Sequence, residues 1–253
     1  MIALITPTGA RFDQFNHCAK WMHRQDYEGD VLWIIVDDGI PVTTNTVQPD
    51  FRENWIIDKV YPKPHWQGTN TQGRNIKAGL DALLNNANFS DINAIFIIED
   101  DDYYKSFYLT EMMKRIAGYS LIGETNTLYY NVHWRQHCDN NNRQHSSLFQ
   151  TAFTREVIPL LTSCLHQKFI DADIWTKCQN KLLFHAGTLS VGIKGMPGRG
   201  GIGAGHQRTM YFTQDQSMMN LINLIGEEDA KEYERYYCNY SQPQHGLLFT
   251  KRN

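Results

Sequence analysis

The stretch Ala94-Ile95-Phe96-Ile97-Ile98-Glu99-Asp100-Asp101-Asp102 runs five apolar residues straight into four acidic ones. A short run that is apolar on both faces reads as a strand in a sheet covered on both sides. In an open α/β sheet, ligands bind beyond the carboxyl ends of the strands, so the acids stand where a site belongs. Adjacent carboxylates repel one another unless a cation or hydrogen-bond donors offset their charge. A hard divalent ion takes oxygen ligands and readily bridges carboxylates to phosphates. The plain alternative is a solvated acidic turn. The buried strand ahead of the acids favours a site.

Val31-Leu32-Trp33-Ile34-Ile35-Val36 has the same character and runs into Asp37-Asp38-Gly39. Alone, Asp-Asp-Gly is an ordinary turn. Two acidic strand ends at one edge of a parallel sheet are a stronger signal. Ile2 to Thr6 is a shorter apolar run that stops at Pro7-Thr8-Gly9, and Trp55 to Val60 is a weaker strand. Helical patterns cover Phe12 to Gln25, with Phe15, Cys18, Ala19 and Met22 on one face, Arg74 to Leu84, and Phe107 to Ala117. Gly73-Arg74-Asn75 opens the second helix, where Arg74 at the helix N-terminus either makes an anion site or caps the surface of an amphipathic helix. The order strand, helix, strand, strand, helix, strand, helix predicts an α/β fold with a mostly parallel sheet flanked by helices.

The second half is less regular. Thr127 to Val132 and Leu148 to Phe153 read as strands, and Arg155 to Leu165 and Asp173 to Lys181 as helices. Thr213-Gln214-Asp215-Gln216 fits a capping box ahead of a helix from Asp215 to Ile225. The polar stretch Asn131 to His145 reads as a loop. Its His133 and His137 stand in helical spacing and invite a zinc reading, but no H-E-x-x-H or C-x-x-C supports it. Gly195 to His206 is too rich in glycine for a helix and carries or adjoins Lys194, Arg199, His206 and Arg208. It is neither a P-loop nor a dinucleotide fingerprint. It is either a cover over a diphosphate or a surface loop. Asp171-Ala172-Asp173 supplies either a general base or a helix cap.

Composition bounds the rest. The chain has 253 residues, 42% hydrophobic and 20% charged, an ordinary globular balance for one large α/β domain or two small ones. We expect a single domain over 1–253, with a nucleotide-binding half at 1–118 and an acceptor half at 119–253. A net charge of −3 excludes nucleic-acid binding through bulk charge and leaves room for a local basic groove. No apolar run of about eighteen residues exists, so no membrane-spanning helix is expected. The five cysteines include no C-x-x-C pair, and Met1 to Arg11 lacks the pattern of a signal peptide. Both point to reduced thiols and a cytoplasmic setting.

Taken in order, these pieces resemble the GT-A class of nucleotide-sugar glycosyltransferases, close in layout to family 2. The likeness spans roughly Met1 to Lys181. Val36-Asp37-Asp38-Gly39 matches the acidic end of a nucleotide-binding strand. Gly73-Arg74-Asn75 matches the following helix start, and Asp100-Asp101-Asp102 matches the D-x-D motif. The resemblance implies a donor pocket bordered by Thr6, Pro7, Thr8 and Arg11. Asp37, Asp38, Arg74, Asp100 and Asp101 would hold the nucleotide. Asp102 and His206 would bind Mn2+ or Mg2+, and Lys194, Arg199 and Arg208 would clamp the diphosphate. Asp173 best matches the base, with Asp171 as the other candidate. The acceptor signature of processive polymer synthases is missing. Small size and a lone domain also resemble glycosyltransferase-like proteins of bacteriophages, some of which sugar-modify hydroxymethylated DNA bases. The location would then be the host cytoplasm.

The expected activity is metal-dependent, inverting transfer of a sugar from a nucleoside-diphosphate donor, with a UDP-sugar favoured. The acceptor would be a hydroxyl of modified DNA or of a glycan. Two other readings compete. A sugar-phosphate nucleotidyltransferase also uses acidic metal ligands, but it carries its Gly-rich basic loop directly after the first strand. A non-catalytic nucleotide- or glycan-binding module is the other.

Overall fold

The computed structural model describes residues 1–40, 52–64, 71–199, 205–206 and 211–237. Arg208 and Cys238 lie outside the described residues, as does part of the Gly-rich segment. The first half alternates as expected. Strands β1 (Ile2–Thr8), β2 (Val31–Asp37), β3 (Trp55–Val60) and β4 (Ala94–Ile97) interleave with helices α1 (Phe12–His23) and α2 (Gln72–Leu84). A short β5 (Tyr103–Tyr104) and α3 (Tyr108–Arg115) follow. The second half adds β6 (Leu121–Glu124), β7 (Leu128–Asn131), β8 (Gln136–Asp139) and β9 (Thr151–Phe153). It continues through α4 (Ile158–Cys164), α5 (Ile170–Lys177), β10 (Lys181–Phe184), β11 (Ser190–Lys194) and β12 (Thr213–Gln214), and ends in α6 (Met219–Ile225) and α7 (Glu227–Lys231).

A seven-stranded sheet in the order β10-β6-β9-β4-β1-β2-β3 forms the centre. Its strands run parallel except β9, which is antiparallel to both β4 and β6. A five-stranded sheet, β12-β8-β7-β11-β5, lies beside it. The expected α/β class with a mostly parallel sheet is thus the observed one.

Strand alternation splits the core in two. Ile2, Leu4, Trp33, Ile35 and Phe96 face α1 and α3, meeting Phe15, Cys18, Trp21 and Met112. Their neighbours Ala3, Ile5, Ile34, Val36 and Ile97 face α2, α4 and α5, meeting Ile76, Leu80, Leu161 and Ile174. Both sets are fully buried, so the stretches Ile2–Ile5, Val31–Val36 and Ala94–Ile97 are apolar at every position. Each such side chain contributes roughly 1.5–3 kcal/mol by leaving water. Helix α2 approaches the sheet at Gly79. A Cβ there would lie 2.6 Å from Ile5 Cγ2 and 3.1 Å from Val36 Cγ2. That close seat sets the N-terminus of α2 beside the end of β2.

Three expectations are corrected. The stretch read as a loop, Asn131 to His145, contains β8, whose polar residues pair with β7 and β12. The capping box at Thr213 to Gln216 does not form: Thr213 and Gln214 pair with β8 instead. Asp215 does the capping, its Oδ2 accepting the N–H groups of Asn220 at 3.0 Å and Leu221 at 3.3 Å. The helix expected from Asp173 starts at Ile170, which places both acids of Asp171-Ala172-Asp173 in its first turn.

Candidate functional site

The parallel register aligns the ends of three strands. Thr8 pairs with Asp37, and Ile5 pairs with Ile97, so β1, β2 and β4 deliver their carboxyl ends to one edge. Gly9 and Gly39 let the turns after β1 and β2 touch there. A Cβ on Gly9 would lie 2.0 Å from Asp38 Oδ1, and one on Gly39 would lie 2.1 Å from the Ala10 nitrogen. No larger residue fits at either place.

Asp38 is fully buried at this junction. Its Oδ1 accepts Arg199 Nη1 at 2.6 Å, and its Oδ2 accepts Arg74 Nη2 at 2.9 Å and the Thr71 hydroxyl. Burial alone would raise its pKa. Hydrogen bonds from Arg199, Thr71 and Asn75, with the charge of Arg199, outweigh burial and hold the carboxyl below its ordinary value. Asp37 is buried beside it and accepts the Gly39 N–H at 3.0 Å.

Asp100 faces β1. Its Oδ2 accepts the Thr8 hydroxyl at 2.7 Å, and its Oδ1 lies 3.1 Å from Arg11 Nη2. The same Arg11 nitrogen lies 3.0 Å from Asp101 Oδ2, and Arg11 Nη1 donates to the Arg199 carbonyl at 3.0 Å. Gln14 Nε2 donates to the Pro197 carbonyl at 2.8 Å, so α1 also fastens the Gly-rich segment.

Glu99, Asp101 and Asp102 converge, each offering an oxygen within 4.8 Å of the others. Gln72 Nε2 donates to Glu99 Oε1 at 2.8 Å. Asp102 Oδ1 accepts the Ile193 N–H at 2.9 Å and Lys194 Nζ at 2.8 Å, whereas its buried Oδ2 has no hydrogen-bond partner. Lys194 Nζ is also 3.6 Å from Asp101 Oδ2. Burial raises the pKa of Glu99, Asp100 and Asp102, and the neighbouring Asp101 raises each further. Asp101 goes the other way: Lys194 and Arg11 overcome its burial and hold it below the ordinary range.

The set within 4.8 Å contains Asp102 but not His206, and Glu99 joins it. His206 is close enough to feel Asp101 and Arg11. Burial first, then Lys194, lowers its pKa to about 4, so its imidazole is neutral. It lines a cleft of about 500 Å³ with His133, Trp134, Gly198 and Tyr236. His133 and Trp134 pack edge to face at 4.5 Å.

Several expected residues stand elsewhere. The Thr6 hydroxyl is fully buried and accepts the Trp33 indole at 2.9 Å, so it faces the core rather than the pocket. Pro7 is half-buried in β1. Lys194 lies inside the acidic cluster rather than over it, and Arg199 sits on Asp38. Asp173 pairs at 3.0 Å with Lys177, one helical turn on. The acid of that helix that acts on Glu99 is Asp171. Burial raises the Asp171 pKa, against the Ala172 N–H and His145. Sequence reading missed Glu99, Thr71, Gln72 and Gln14 as parts of the site. Only Glu99 carried a signal, its place in the acidic run.

No protein-family model matches the chain, and no curated protein sequence matches it. Solved structures do. S. aureus TarS 1–349 aligns with a TM-score of 0.53 at 12% identity, covering 76% of this chain. The same fragment in complex with UDP-GlcNAc aligns with a TM-score of 0.53 at 10% identity, covering 79% of this chain. The chain spans 60% of the length of that fragment. A Pyrobaculum calidifontis mannosyltransferase in complex with GDP-Man and Mn2+ aligns with a TM-score of 0.48 at 13% identity, covering 79% of this chain and 58% of that one. At these identities the likeness to TarS is one of fold: this chain shares its mixed α/β architecture, built on a mostly parallel sheet flanked by helices.

Proposed function

We propose that the chain is a metal-dependent, inverting glycosyltransferase that moves a sugar from a nucleoside-diphosphate donor, a UDP-sugar by preference, to an acceptor hydroxyl. One observation carries this reading. The carboxylates of Glu99, Asp101 and Asp102 converge just after β4, with Asp102 Oδ2 buried and unpartnered, at the sheet edge where β2 also ends before Asp38. The solved TarS structures with UDP and with UDP-GlcNAc support it through their shared fold.

Mn2+ or Mg2+ fits the donor set, which is all oxygen. Glu99, Asp101 and Asp102 would hold the ion, which supplies positive charge against the departing diphosphate. The chain's own residues do the rest. Asp38 and Asp37 accept hydrogen bonds from the base or ribose, and Asp100 takes the ribose side, bordered by Thr8 and Arg11. Arg74 and Arg199, both hydrogen-bonded to Asp38, would contact the diphosphate. Asp171, whose pKa burial raises above its ordinary value, removes the proton from the acceptor hydroxyl in its ionised form, and the hydroxyl oxygen attacks C1 from the face opposite the diphosphate. The acceptor is a hydroxyl of a glycan or of a hydroxymethylated base in DNA. If it is DNA, transfer falls steeply with salt, because each phosphate contact releases counterions.

The test is calorimetric titration of UDP and GDP, with and without Mn2+, on the wild type and on Asp102→Asn. Metal-dependent binding of one nucleotide, lost in the variant, supports the reading. No nucleotide binding under any condition overturns it. Release of pyrophosphate instead of a nucleoside diphosphate during turnover would mark a nucleotidyltransferase.

A further inference from the structure

Lys194 is the last residue of β11, and its side chain is only 6% exposed. It is not a loop lysine free to reach outward. Its carbonyl accepts the Val132 N–H at 2.8 Å, and it pairs in register with Asn131 of β7. Its ammonium lies 5.7 Å from the Tyr129 ring centroid and 5.8 Å from that of Phe149. On its open side it meets Asp102 Oδ1 at 2.8 Å and Asp101 Oδ2 at 3.6 Å. These are two of the three residues whose oxygens converge closely enough to hold a metal ion. Taking a lone ammonium out of water is costly unless carboxylates compensate it, and here they do.

We propose that Lys194 is a tethered counter-cation of the acidic cluster, competing with the divalent ion for Asp101 and Asp102. This rests on the metal site of the proposed function and goes beyond it, since it makes metal and nucleotide binding depend on each other. A divalent ion must share both carboxylates with an ammonium that strand β11 holds in place. Like charges oppose each other strongly where water is scarce. The ion alone therefore binds weakly. A nucleoside diphosphate brings negative charge that both cations can share, so metal and nucleotide bind cooperatively. Cluster, lysine and diphosphate then form one charge-balanced unit, and the free chain resists loading with metal alone.

The experiment is Mn2+ titration of the wild type, Lys194→Met and Lys194→Arg, each without nucleotide and with saturating UDP. Methionine keeps the length and removes the charge; arginine keeps the charge. The expected result is that Lys194→Met binds Mn2+ alone at least about tenfold tighter than the wild type, while Lys194→Arg stays near it. UDP should then tighten Mn2+ binding strongly in the wild type and weakly in Lys194→Met. Equal or weaker Mn2+ affinity in Lys194→Met overturns the inference and leaves the proposed function standing. Should Lys194→Met fold poorly, its melting temperature is the readout: Mn2+ must raise it more than it raises that of the wild type. The wild type alone is a second test, since Mn2+ affinity that UDP does not change also overturns the inference. Binding of UDP with no Mn2+ binding by any form removes both the inference and the metal site.

Discussion

Arg199 Nη1 lies 2.6 Å from Asp38 Oδ1, joining residues 161 positions apart. The Gly-rich segment is thereby fastened to the end of β2. Arg199 also donates to Thr71 at the start of α2, and its carbonyl accepts Arg11 at 3.0 Å. One arginine thus ties three elements around a buried carboxylate.

Asp38→Ala should therefore cost stability as well as ligand affinity. It leaves Arg199, Arg74 and Thr71 without their shared acceptor. Removing one member of a buried charged pair costs about 3 kcal/mol. In a domain of this size that lowers the melting temperature by roughly 6–12 °C. Thermal melts of the variant check it. A change under about 2 °C would mean the latch carries no weight.

The two acids of α5 should separate in kinetics. Asp171→Asn removes the carboxylate nearest the cluster and should lower kcat about 100-fold or more. Asp173→Asn breaks only an exposed pair with Lys177, so activity should stay within about threefold. Nucleoside-diphosphate release with a competent acceptor measures both. The reverse pattern would make Asp173 the base.

The pH profile follows from burial. Asp171 must be ionised to accept a proton, and burial raises its pKa above the ordinary 3.8. The acid limb of kcat/KM should fall as pH drops through that raised value, so it lies above 3.8. Asp171→Asn should flatten the limb at its low residual rate. An unchanged limb in the variant would assign the titration to another group.

His17 predicts a separate dependence of stability on pH. Its ring stacks on Tyr233 at 4.8 Å, and Nδ1 lies 3.3 Å from Glu232, whose charge Lys20 already offsets. Burial first, then Arg235, lowers its pKa from 6.5 to about 4 against the pull of Asp13 and Asp229. The unfolded chain therefore binds a proton that the folded chain rejects. The stability it supports is fully present above pH 6.5 and is lost as pH falls toward 4. Denaturant titrations from pH 7.5 to 4.5 should show a smaller loss in His17→Gln than in the wild type. Equal losses would remove His17 as a cause.

The long apolar strands were legible because of where they sit. Val31 to Val36 and Ala94 to Ile98 are buried on both faces, which demands an apolar side chain at every position. Such a run has few other readings. The end of β2 and the acids after β4 followed from the same logic, and so did their meeting at one edge. The second sheet was harder. Strand β11, Ser190–Lys194, contains a glycine and a lysine, and β8 is mostly polar. Strand β11 forms because the distant β5 and β7 take its backbone hydrogen bonds, and β8 closes a hairpin with β7 whose far edge is covered by the distant β12; the polar side chains of β8 encode neither pairing. The direction of single side chains was equally hidden. Nothing in the sequence turns the Thr6 hydroxyl toward Trp33, or Lys194 inward to Asp102.

Gly79 tests the geometry that positions α2. Alanine is the better helix former by about 1 kcal/mol. Its methyl would nonetheless meet Ile5 Cγ2 at 2.6 Å, and a β-branched strand residue has little room to turn away. Overpacking should win, with a net loss of about 1–2 kcal/mol. Chemical denaturation of Gly79→Ala checks it. A gain in stability would show that helix and sheet can part at no cost.

Among the described residues, the donor side of the site draws on five stretches of chain: Thr8 to Arg11, Asp37 to Asp38, Thr71 to Arg74, Glu99 to Asp102, and Ile193 to Arg199. Each stretch caps a different strand or helix. Four of them lie within the first 102 residues and the fifth comes from the end of β11, so a ligand that spans them all recognises both halves of the folded chain. At one hundred times its Kd such a ligand adds about 2.7 kcal/mol to global stability. Amide protons in β1, β2, β4 and β11 should then slow their exchange together. A melting screen across nucleotides and metals thus doubles as a search for the donor, with each ligand's rank in the shift reporting its affinity.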